Sequence, residues 1–410
     1  MTLHVSEPSA KYLVEPLYKH TEVGLIPKEW DVFALADIAA IERGKFSARP
    51  RNDPKYYGGE FPFIQTGDVT RSCGSISTFT QTLNREGLRV SRLFPEGTLF
   101  FTIAANIGDV GIAKFEAACP DSLVAIVPRS GVQKGWLLYE LARKKSDFES
   151  LASPGAQLNI NLEKLRPYLV PVPPEAEQRA IANALSDVDA LIAGLEKLIA
   201  KKRDLKQAAM QQLLTGQTRL PGFSGEWELT KLGDVLHFQV GFPFGSIFFN
   251  EKDQGLRLIK NRDLKADDQV FFYSGSYEEN YVVTNDDLLV GMDGEFLPCR
   301  WTKGKALLNQ RVGRLLPTNK LDIRFAYYFM LEPLKEIEAV TASTTVKHLS
   351  HGDIENIFKP LPLLDEQIAI GSILYEIDAE LDVLESRLLK TRELKQGMMQ
   401  ELLTGRIRLV

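Results

Sequence analysis

One stretch of this 410-residue chain occurs twice. Residues 178–220 match residues 367–409 without a gap, at a constant offset of 189 residues, and about half of the aligned positions are identical. Both copies contain the string Leu-Lys-Gln and both run into Leu-Leu-Thr-Gly. Self-similarity at a fixed offset indicates a repeated structural unit. The sequence therefore predicts an internal pseudo-two-fold repeat that is suited to a two-fold target.

Each copy of the repeat has the apolar spacing of a long helix. Apolar residues alternate at intervals of four and three in the first copy, at Ile181, Leu185, Val188, Ile192, Leu195 and Ile199. The second copy has them at Ile370, Leu374, Ile377, Leu381, Leu384 and Leu388. This spacing is typical of a coiled-coil seam, and we expect the seam to resume, shifted, at Leu205 and Leu394. Prolines precede each stretch and a glycine follows it, at Gly216 and Gly405, as helix boundaries require.

The length of these helices bears on their role. About 38 helical residues extend roughly 55–60 Å, which is longer than a small domain is wide. The simpler interpretation is that each is an ordinary core helix of its own domain. The narrow and sustained seam favours instead two helices that pack on each other as a spacer. Periodicity alone leaves parallel and antiparallel pairing open.

A segment of mixed character precedes each long helix, and the two segments match weakly. Short apolar runs flanked by turn residues predict strands. The matching pairs of runs are 30–38 with 227–235, 63–69 with 258–264, 97–101 with 286–290, and 122–128 with 311–317. Residues 147–151 and 323–337 favour a helix toward the end of each segment.

The loops of the two segments differ where the strands agree. Residues 43–51 contain four basic side chains, whereas their counterpart at 240–246 contains none. Residues 104–108 and 293–297 also diverge. Loops held on a rigid frame carry recognition, so the sequence predicts two similar domains that bind two versions of one kind of ligand.

The chain thus divides into four segments. We expect globular domains at 1–173 and 217–362 and long helices at 174–216 and 363–410. The predicted fold class is α+β, with two similar globular domains separated by two long helices.

Composition narrows the class of protein. Hydrophobic content of 44% and charged content of 25% are those of a soluble globular protein. Three widely spaced cysteines give no disulfide framework, which favours a cytoplasmic setting, and no apolar run of about 18 residues predicts a membrane span. The net charge of −5 argues mildly against a nucleic-acid binder. Residues 40–92, however, carry nine basic and five acidic side chains, which allows a local basic surface.

The sequence lacks the motifs that mark an enzyme. It has no Asn-Pro-Pro-Tyr or Asp-Pro-Pro-Tyr string, no glycine-rich cofactor loop after a strand, and no phosphate-binding loop. His348 and His351 are closely spaced, but without a cysteine or acid at ligand spacing a polar turn is favoured over a metal site. The acid pairs at 267–268 and 286–287 are interpreted as solvated turns. We therefore expect a non-catalytic chain, and a stand-alone methyltransferase or nuclease is the alternative.

The order of the motifs resembles the specificity subunit of type I restriction–modification enzymes. The resemblance rests on the Gly-Leu-Ile-Pro-x-x-Trp entry at 24–30, the proline-rich strings that lead to Glu-Gln at 171–178 and 360–367, and the two Leu-Leu-Thr-Gly ends. It covers essentially the whole chain.

That resemblance implies a function without chemistry of its own. Each globular segment would be a target recognition domain that reads one half of a bipartite double-stranded DNA site, and an antiparallel coiled coil would set the spacing of the halves. No cofactor is implied in this chain. S-adenosylmethionine would bind to two modification (methyltransferase) subunits, and ATP to restriction (endonuclease and translocase) subunits. A gap of one DNA turn, about 34–36 Å, is shorter than the predicted helices.

Candidate DNA contacts follow from residue type. Lys and Arg on phosphates supply affinity, while Arg, Asn and Gln at base edges supply sequence readout. The candidates in the first domain are Arg43, Lys45, Arg49, Arg51, Gln65 and Thr66, followed by Arg71 and Asn106. The candidates in the second domain are Lys260, Asn261, Arg262, Arg300, Lys303 and Lys305. For any single one the competing interpretation is a solvated charge, and for Arg311 and Arg314 it is an internal pair.

Candidate partner contacts follow from identity between the two copies. The shared residues on the long helices are Lys201, Arg203, Lys206, Gln207, Lys390, Arg392, Lys395 and Gln396. Two identical partners would require such identity, although a basic side chain near a helix C-terminus also suits the helix dipole. A coiled-coil adaptor with two protein-binding heads is the alternative function. A steep loss of affinity with salt would distinguish the DNA binder from the adaptor.

Overall fold

The computed structural model describes residues 17–104, 106–152, 159–340 and 348–409. Contacts between Cα atoms divide the chain into two units, one of Met1–Leu195 with Arg387–Val410 and the other of Glu196–Ser386. The division falls within both long helices. Each unit therefore contains one globular segment, part of the helix that follows it in sequence, and part of the other long helix.

The first half of the chain is rich in short strands. Its strands are β1 (Tyr18–Thr21), β2 (Gly24–Pro27), β3 (Asp31–Ala34), β4 (Ala39–Arg43), β5 (Tyr57–Pro62), β6 (Ser75–Ile76), β7 (Thr82–Leu83), β8 (Leu93–Phe94), β9 (Leu99–Thr102), β10 (Val110–Ala113), β11 (Ala117–Ala118), β12 (Leu123–Pro128) and β13 (Leu169–Val172). Its helices are α1 (Leu35–Ile38), α2 (Thr66–Arg71), α3 (Arg85–Arg89), α4 (Lys134–Arg143), α5 (Lys145–Leu151), α6 (Leu162–Leu165) and the long α7 (Glu175–Leu213).

The second half repeats this plan with different lengths. Its strands are β14 (Glu228–Lys231), β15 (Leu236–Val240), β16 (Phe249–Asn250), β17 (Leu256–Ile259), β18 (Phe271–Tyr273), β19 (Val282–Val283), β20 (Leu288–Gly291), β21 (Pro298–Arg300), β22 (Ala306–Leu308), β23 (Val312–Pro317) and β24 (Phe358–Leu361). Its helices are α8 (Ile323–Phe329), α9 (Leu331–Val340), α10 (His351–Glu355) and the long α11 (Leu364–Leu402). The predicted α+β class with a duplicated plan is confirmed.

The central sheets of the two units share a topology. The first unit has the strand order β4-β12-β9-β10-β6, and the second has β15-β23-β20-β21. The predicted runs 122–128 and 311–317 supply the inner strands β12 and β23, which pair antiparallel with β9 and β20. Strand β12 is buried on both faces, because Val124 and Ile126 belong to one core cluster and Leu123 and Ala125 to another, so it reads as a continuous apolar run.

The prediction of a strand is partly right over 258–264, where β17 ends at Ile259, and wrong over 63–69, where Phe63 forms an isolated bridge to Ala118 in place of a strand. The second half of each run turns into a short helix, α2 in the first unit and the 3-10 helix Asn261–Leu264 in the second. The reason is a buried aspartate in each turn. The Asp68 carboxylate accepts the backbone N–H of Gln65 at 2.9 Å, and the Asp263 carboxylate accepts that of Lys260 at 2.8 Å. This bond caps the new helix and ends the strand.

Both long helices contain 39 residues, and their seam follows the predicted spacing. Ile181, Leu185, Leu195 and Ile199 are buried on α7, and Ile370, Leu374 and Leu381 on α11. The predicted resumption of the seam is wrong, since Leu205 and Leu394 are 52% and 58% exposed. The face that turns inward there carries Lys206 and Lys395 instead, and each of these lysines pairs with an aspartate.

The helices run antiparallel within each unit. In the first unit Asp189 of α7 pairs with Lys395 of α11. In the second unit Lys206 of α7 pairs with Asp378 of α11. Arg203, which precedes Lys206 on α7, pairs with Glu385, which follows Asp378 on α11. Positions that rise along α7 thus meet positions that fall along α11. Beyond each helix, Gly216 and Gly405 adopt the same positive φ of 71°, which explains why glycine follows both copies.

The Glu-Gln pair at the start of each long helix has a structural role. The buried Gln178 side chain accepts the N–H of Gln133, the residue before α4, at 2.8 Å. Gln367 accepts the N–H of Asp322, the residue before α8, at 3.0 Å. Each glutamine also donates to a proline carbonyl at 2.9 Å. The motif therefore ties the long helix to the globular segment that precedes it.

The glutamates of the same pair bind the end of the other copy. Arg408 makes two hydrogen bonds to Glu177, at 2.7 and 2.9 Å, and Arg219 makes two to Glu366, both at 2.6 Å. Both carboxylates are buried. Trp30 also donates to Glu177 at 2.9 Å. Its counterpart Trp227 has a buried indole N–H without a hydrogen-bond partner among the described residues.

This asymmetry predicts unequal effects of one substitution. Trp30→Phe should lower the free energy of unfolding by about 2–3 kcal/mol, because it removes a buried hydrogen bond and ring volume. Trp227→Phe should cost below about 1 kcal/mol, because the donor it deletes is unsatisfied. Hydrogen exchange of the backbone amides, followed separately in each unit, measures both losses of unfolding free energy. Equal losses would contradict the assigned role of Glu177.

Candidate DNA interface

The divergent loop 43–51 of the first unit brings two of its four cations, Arg43 and Arg51, to one aspartate. Arg51 pairs with the Asp121 carboxylate at 2.7 Å, and Arg43 donates to the Asp121 carbonyl oxygen at 2.7 Å. The hydrogen bond from Arg51 holds the pKa of Asp121 below its usual range. Arg49 is exposed and donates to the carbonyl of Ala48. Arg43 and Arg51 therefore meet at Asp121.

Lys45 lies in the same loop and is exposed. Its ammonium makes no ion pair with any residue that the structure describes. The loop itself is anchored by its backbone, since the N–H of Lys45 binds the carbonyl of Cys119 and its own carbonyl accepts the Ser91 hydroxyl. A fixed backbone with an unpaired charge suits an external anion.

The other candidates of the first unit surround helix α2. Arg71 pairs with Asp68 at 2.7 Å and remains 63% exposed. Asn106 donates to the Thr70 hydroxyl at 3.2 Å, and Gln65 donates to Gln81 at 3.1 Å. The half-buried Thr66 opens the helix. Polar groups of base-reading type thus lie along the short helix α2.

The second unit builds the matching position from aromatic rings. The Lys260 ammonium lies 3.1 Å from the centroid of the Phe271 ring and 5.3 Å from that of Phe249. Arg262 lies 5.3 Å from the same Phe271 ring. Burial lowers the pKa of Lys260, and the nearby charge of Arg262 lowers it further. Among the described residues Lys260 has no carboxylate partner, so ring faces replace one.

Two further candidates join this turn. Asn261 donates to the carbonyl of Asp293 at 2.7 Å. Lys303 donates to the carbonyl of Asp263 at 3.3 Å and pairs with Asp267 at 3.1 Å. Lys260, Asn261 and Arg262 of the turn at 260–263 therefore form a cluster with Lys303.

The remaining cations of the second unit lie elsewhere. Arg300 sits 4.5 Å from the ring of Tyr375 on α11 and lines a cavity of about 680 Å³. Lys305 is exposed. Arg311 pairs with Asp293 at 2.8 Å and Arg314 with Asp287 at 3.4 Å, which confirms the internal pairing considered for both.

Sequence reasoning missed an apolar loop in the second unit. Ile247 and Phe248, in the 3-10 helix Ser246–Phe248, are 86% and 47% exposed. The ring of Phe248 packs on Tyr273 with the centroids 5.8 Å apart. The signal was present in the alignment of the copies, since this loop stands opposite the arginine-rich loop of the first unit.

The candidate partner residues fall into two groups. Lys206 and Lys395 are about one-quarter exposed and are engaged by aspartates, and Arg203 pairs with Glu385 at 2.7 Å. The others are exposed on the helices: Lys201, Gln207, Lys390, Arg392 and Gln396. In the second unit Arg203, Lys206 and Gln207 line a groove of about 1110 Å³ that continues over Met210 and Leu214.

The two closely spaced histidines have separate contacts. His348 lies 3.1 Å from Asp293, whereas His351 faces the ring of Phe238. Across the described ranges no group of three or more His, Cys, Asp or Glu is arranged to hold a metal ion. No helix in those same ranges is long and apolar enough to cross a membrane.

Comparisons with known proteins agree with this architecture. Residues 27–202 and 224–391 match the family described as type I restriction modification DNA specificity domain. The chain is 26% identical over 428 residues to the putative type I restriction enzyme MjaX specificity subunit of Methanocaldococcus jannaschii. The match covers 97% of this chain and 98% of that protein. It is 36% identical over 186 residues to the type I restriction enzyme EcoBI specificity subunit of Escherichia coli. That match covers 44% of this chain and 39% of that protein.

Solved structures show the same fold. The S subunit of a type I restriction–modification system from M. genitalium superposes with a TM-score of 0.61 at 16% identity, over 91% of this chain and 96% of that one. The two matched stretches define a protein with two DNA specificity domains. The chain belongs to the type I restriction–modification specificity family.

The lowered pKa of Lys260 predicts a pH dependence. An ammonium with a lowered pKa loses its charge below the ordinary lysine value of about 10.4, so affinity for duplex DNA should fall as pH rises toward that value. The binding constant should fall roughly tenfold, which corresponds to the loss of one hydrogen bond to a charged group. Lys260→Arg keeps the charge and should flatten the profile, as measured by fluorescence anisotropy between pH 8 and 10. The same exchange at Lys45 is the control, and an unchanged profile in Lys260→Arg would contradict the prediction.

Proposed function

We propose that this chain is the DNA-reading subunit of a type I restriction–modification complex, in which each unit binds one half of a bipartite double-stranded target. One observation carries the proposal. The two units keep the same buried frame, with Asp68 and Asp263 capping equivalent turns, yet place different side chains on it. A shared frame with unlike loops is what two different half-sites require.

The first half-site would be bound mainly by guanidinium groups. Arg43, Arg49 and Arg51 lie on one loop, and Lys45 of the same loop has no ion pair in the described part of the chain. Such groups bind phosphates and the O6 and N7 atoms of guanine. Gln65, Thr66, Arg71 and Asn106 along α2 are the proposed base readers, because amides contact adenine, arginine contacts guanine and a threonine hydroxyl contacts either base.

The second half-site would be bound by the cluster of Lys260, Asn261, Arg262 and Lys303. Lys260 and Arg262 are held on the Phe271 ring, which fixes their positions, and Arg262 also pairs with Asp263 at 3.5 Å. Arg300 and Lys305 are the outlying candidates. A preorganised cation loses less rotamer entropy when it meets a phosphate.

The remaining parts of the complex would attach to the long helices. The exposed residues that both copies share, Lys201 with Lys390 and Gln207 with Gln396, are the proposed contacts for two modification subunits. We propose that methyl transfer with S-adenosylmethionine and ATP-driven restriction occur on partner subunits, and that this chain contributes recognition alone. The antiparallel helices would set the gap between the two half-sites.

The methylation pattern of the host genome tests the proposal. Single-molecule sequencing with and without this gene should reveal one bipartite motif with a fixed gap that loses adenine methylation on deletion. Replacing Lys260, Arg262 and Lys303 together by Gln should abolish that methylation, since the second half-site is no longer held. A genome whose methylation is unaffected by the deletion would contradict the proposed function.

Salt dependence separates the DNA binder from a protein adaptor. The logarithm of the binding constant for duplex DNA should fall with the logarithm of salt by about 0.9 for each phosphate contacted. Replacing Lys45 and Arg49 by Gln should reduce that slope by roughly 2 units. A slope near zero would favour the adaptor. The matched control replaces Arg85 and Arg89 of α3, which carry equal charge on a different element.

A further inference from the structure

Two tyrosines of the globular segments keep the offset of the long-helix repeat. Tyr139 of α4 and Tyr328 of α8 stand 189 residues apart and are both buried. The segments that contain them otherwise match weakly. Because the tyrosine is kept at the same offset as the long-helix repeat, we infer that each tyrosine contacts the long helices.

In the first unit Tyr139 meets one residue from each long helix. Its hydroxyl donates to the Asp189 carboxylate of α7 at 2.8 Å. The other oxygen of the same carboxylate pairs with Lys395 of α11 at 2.6 Å. The Lys395 ammonium lies 5.5 Å from the centroid of the Tyr139 ring. Three elements therefore meet at one carboxylate, and each of the three side chains contacts the other two.

The second unit repeats the arrangement with the helices exchanged. Tyr328 donates to the Asp378 carboxylate of α11 at 2.6 Å. Lys206 of α7 pairs with the other oxygen of Asp378 at 2.5 Å and lies 5.4 Å from the Tyr328 ring centroid. The same three contacts thus recur within a few tenths of an ångström.

The chemistry makes this contact directional. Burial raises the pKa of Tyr139 and of Tyr328, and the neighbouring aspartate raises it further, so both hydroxyls stay protonated donors. A carboxylate that binds a hydroxyl through one oxygen and an ammonium through the other has a fixed orientation. An apolar seam lacks that property, because a stripe of Leu and Ile tolerates sliding, and polar contacts are what specify register in coiled coils.

We propose that the two Tyr–Asp–Lys triads, Tyr139–Asp189–Lys395 and Tyr328–Asp378–Lys206, are positioning contacts that fix each recognition domain on the helix pair and thereby fix the gap length the complex accepts. The inference rests on the proposed function. It adds that gap length depends on two hydroxyl contacts as well as on helix length. Successive base pairs lie about 3.4 Å apart, so a loosened domain needs to shift by only that distance to accept a neighbouring gap.

Tyr139→Phe tests the inference with the least disturbance. The ring stays in the core while the bond to Asp189 is lost. The gene is deleted in the source strain and restored as wild type, as Tyr139→Phe, or as the double variant with Tyr328→Phe, and methylation is mapped by single-molecule sequencing. We expect unchanged half-site bases in the variants, with methylation at gaps one base pair longer or shorter raised roughly tenfold relative to wild type, the worth of one charged hydrogen bond. The double variant should accept more gap lengths than either single variant.

Tyr168→Phe is the matched control. Tyr168 donates to Asp147 at 3.0 Å, and burial likewise raises its pKa, but both residues belong to the globular part of the first unit. Its loss should leave a single gap length. Melting temperatures of the purified chains check that Tyr139→Phe and Tyr168→Phe are folded to a similar extent, and Asp189→Asn, which keeps an acceptor for Tyr139 but weakens the pair with Lys395, serves as a second variant.

The outcomes are distinct. Relaxed gap length in Tyr139→Phe or Asp189→Asn with a single gap in Tyr168→Phe supports the positioning role. A single gap in every folded variant, including the double variant, overturns the inference and leaves the proposed function standing. Wild-type complementation that restores methylation at no bipartite motif overturns both.

Discussion

The buried ion pairs at the ends of the long helices determine how this chain folds. Arg408 binds Glu177 and Arg219 binds Glu366, so the last residues of each copy satisfy a carboxylate at the start of the other. A buried carboxylate without its partner is strongly destabilising, by about 3–5 kcal/mol. Leu402 and Leu403 accordingly belong to the core of the first unit, while Leu213 belongs to that of the second. Neither copy completes a core by itself.

Antiparallel pairing follows from this exchange of ends. If α7 and α11 ran parallel, the end of one copy would meet the end of the other, and Glu177 and Glu366 would be buried without a cation. The Glu-Gln motif uses its two residues for different connections. Its glutamate binds the other copy, whereas its glutamine binds the globular segment just before it. Two adjacent side chains thus join three parts of each unit.

Much of this was predictable from the sequence, because it depends on local pattern. The length of the helices, their seam, their glycine ends and the inner strands follow from periodicity and turn residues. The helical turn within 63–69 was not predictable. In the sequence, an aspartate that will be buried and cap a helix cannot be told from any other acid in an apolar run. The resumption of the seam at Leu205 and Leu394 failed for a related reason. Periodicity shows where apolar residues fall, and it does not show that the inward face there is held by lysine–aspartate pairs.

The candidate site was less predictable, because its key contacts join residues far apart in sequence. The cationic type of Lys260 was visible, but the Phe271 ring beneath it becomes a neighbour only when β17 and β18 pair. Asp121 likewise lies 70 residues from the Arg51 that it binds. Tyr139 and Tyr328, by contrast, share the sequence offset of 189 with the aspartates that they contact.

The unlike loops show how one frame can serve two targets. In the first unit an aspartate and backbone carbonyls orient the arginines of loop 43–51, so part of their charge is neutralised before any ligand arrives. In the second unit the Phe271 ring orients Lys260 and Arg262. Arg262 also pairs with Asp263, whereas Lys260 has no carboxylate partner among the described residues and is partly desolvated. Because the frame beneath is the same in both units, these few side chains can differ without altering how the helices hold each unit.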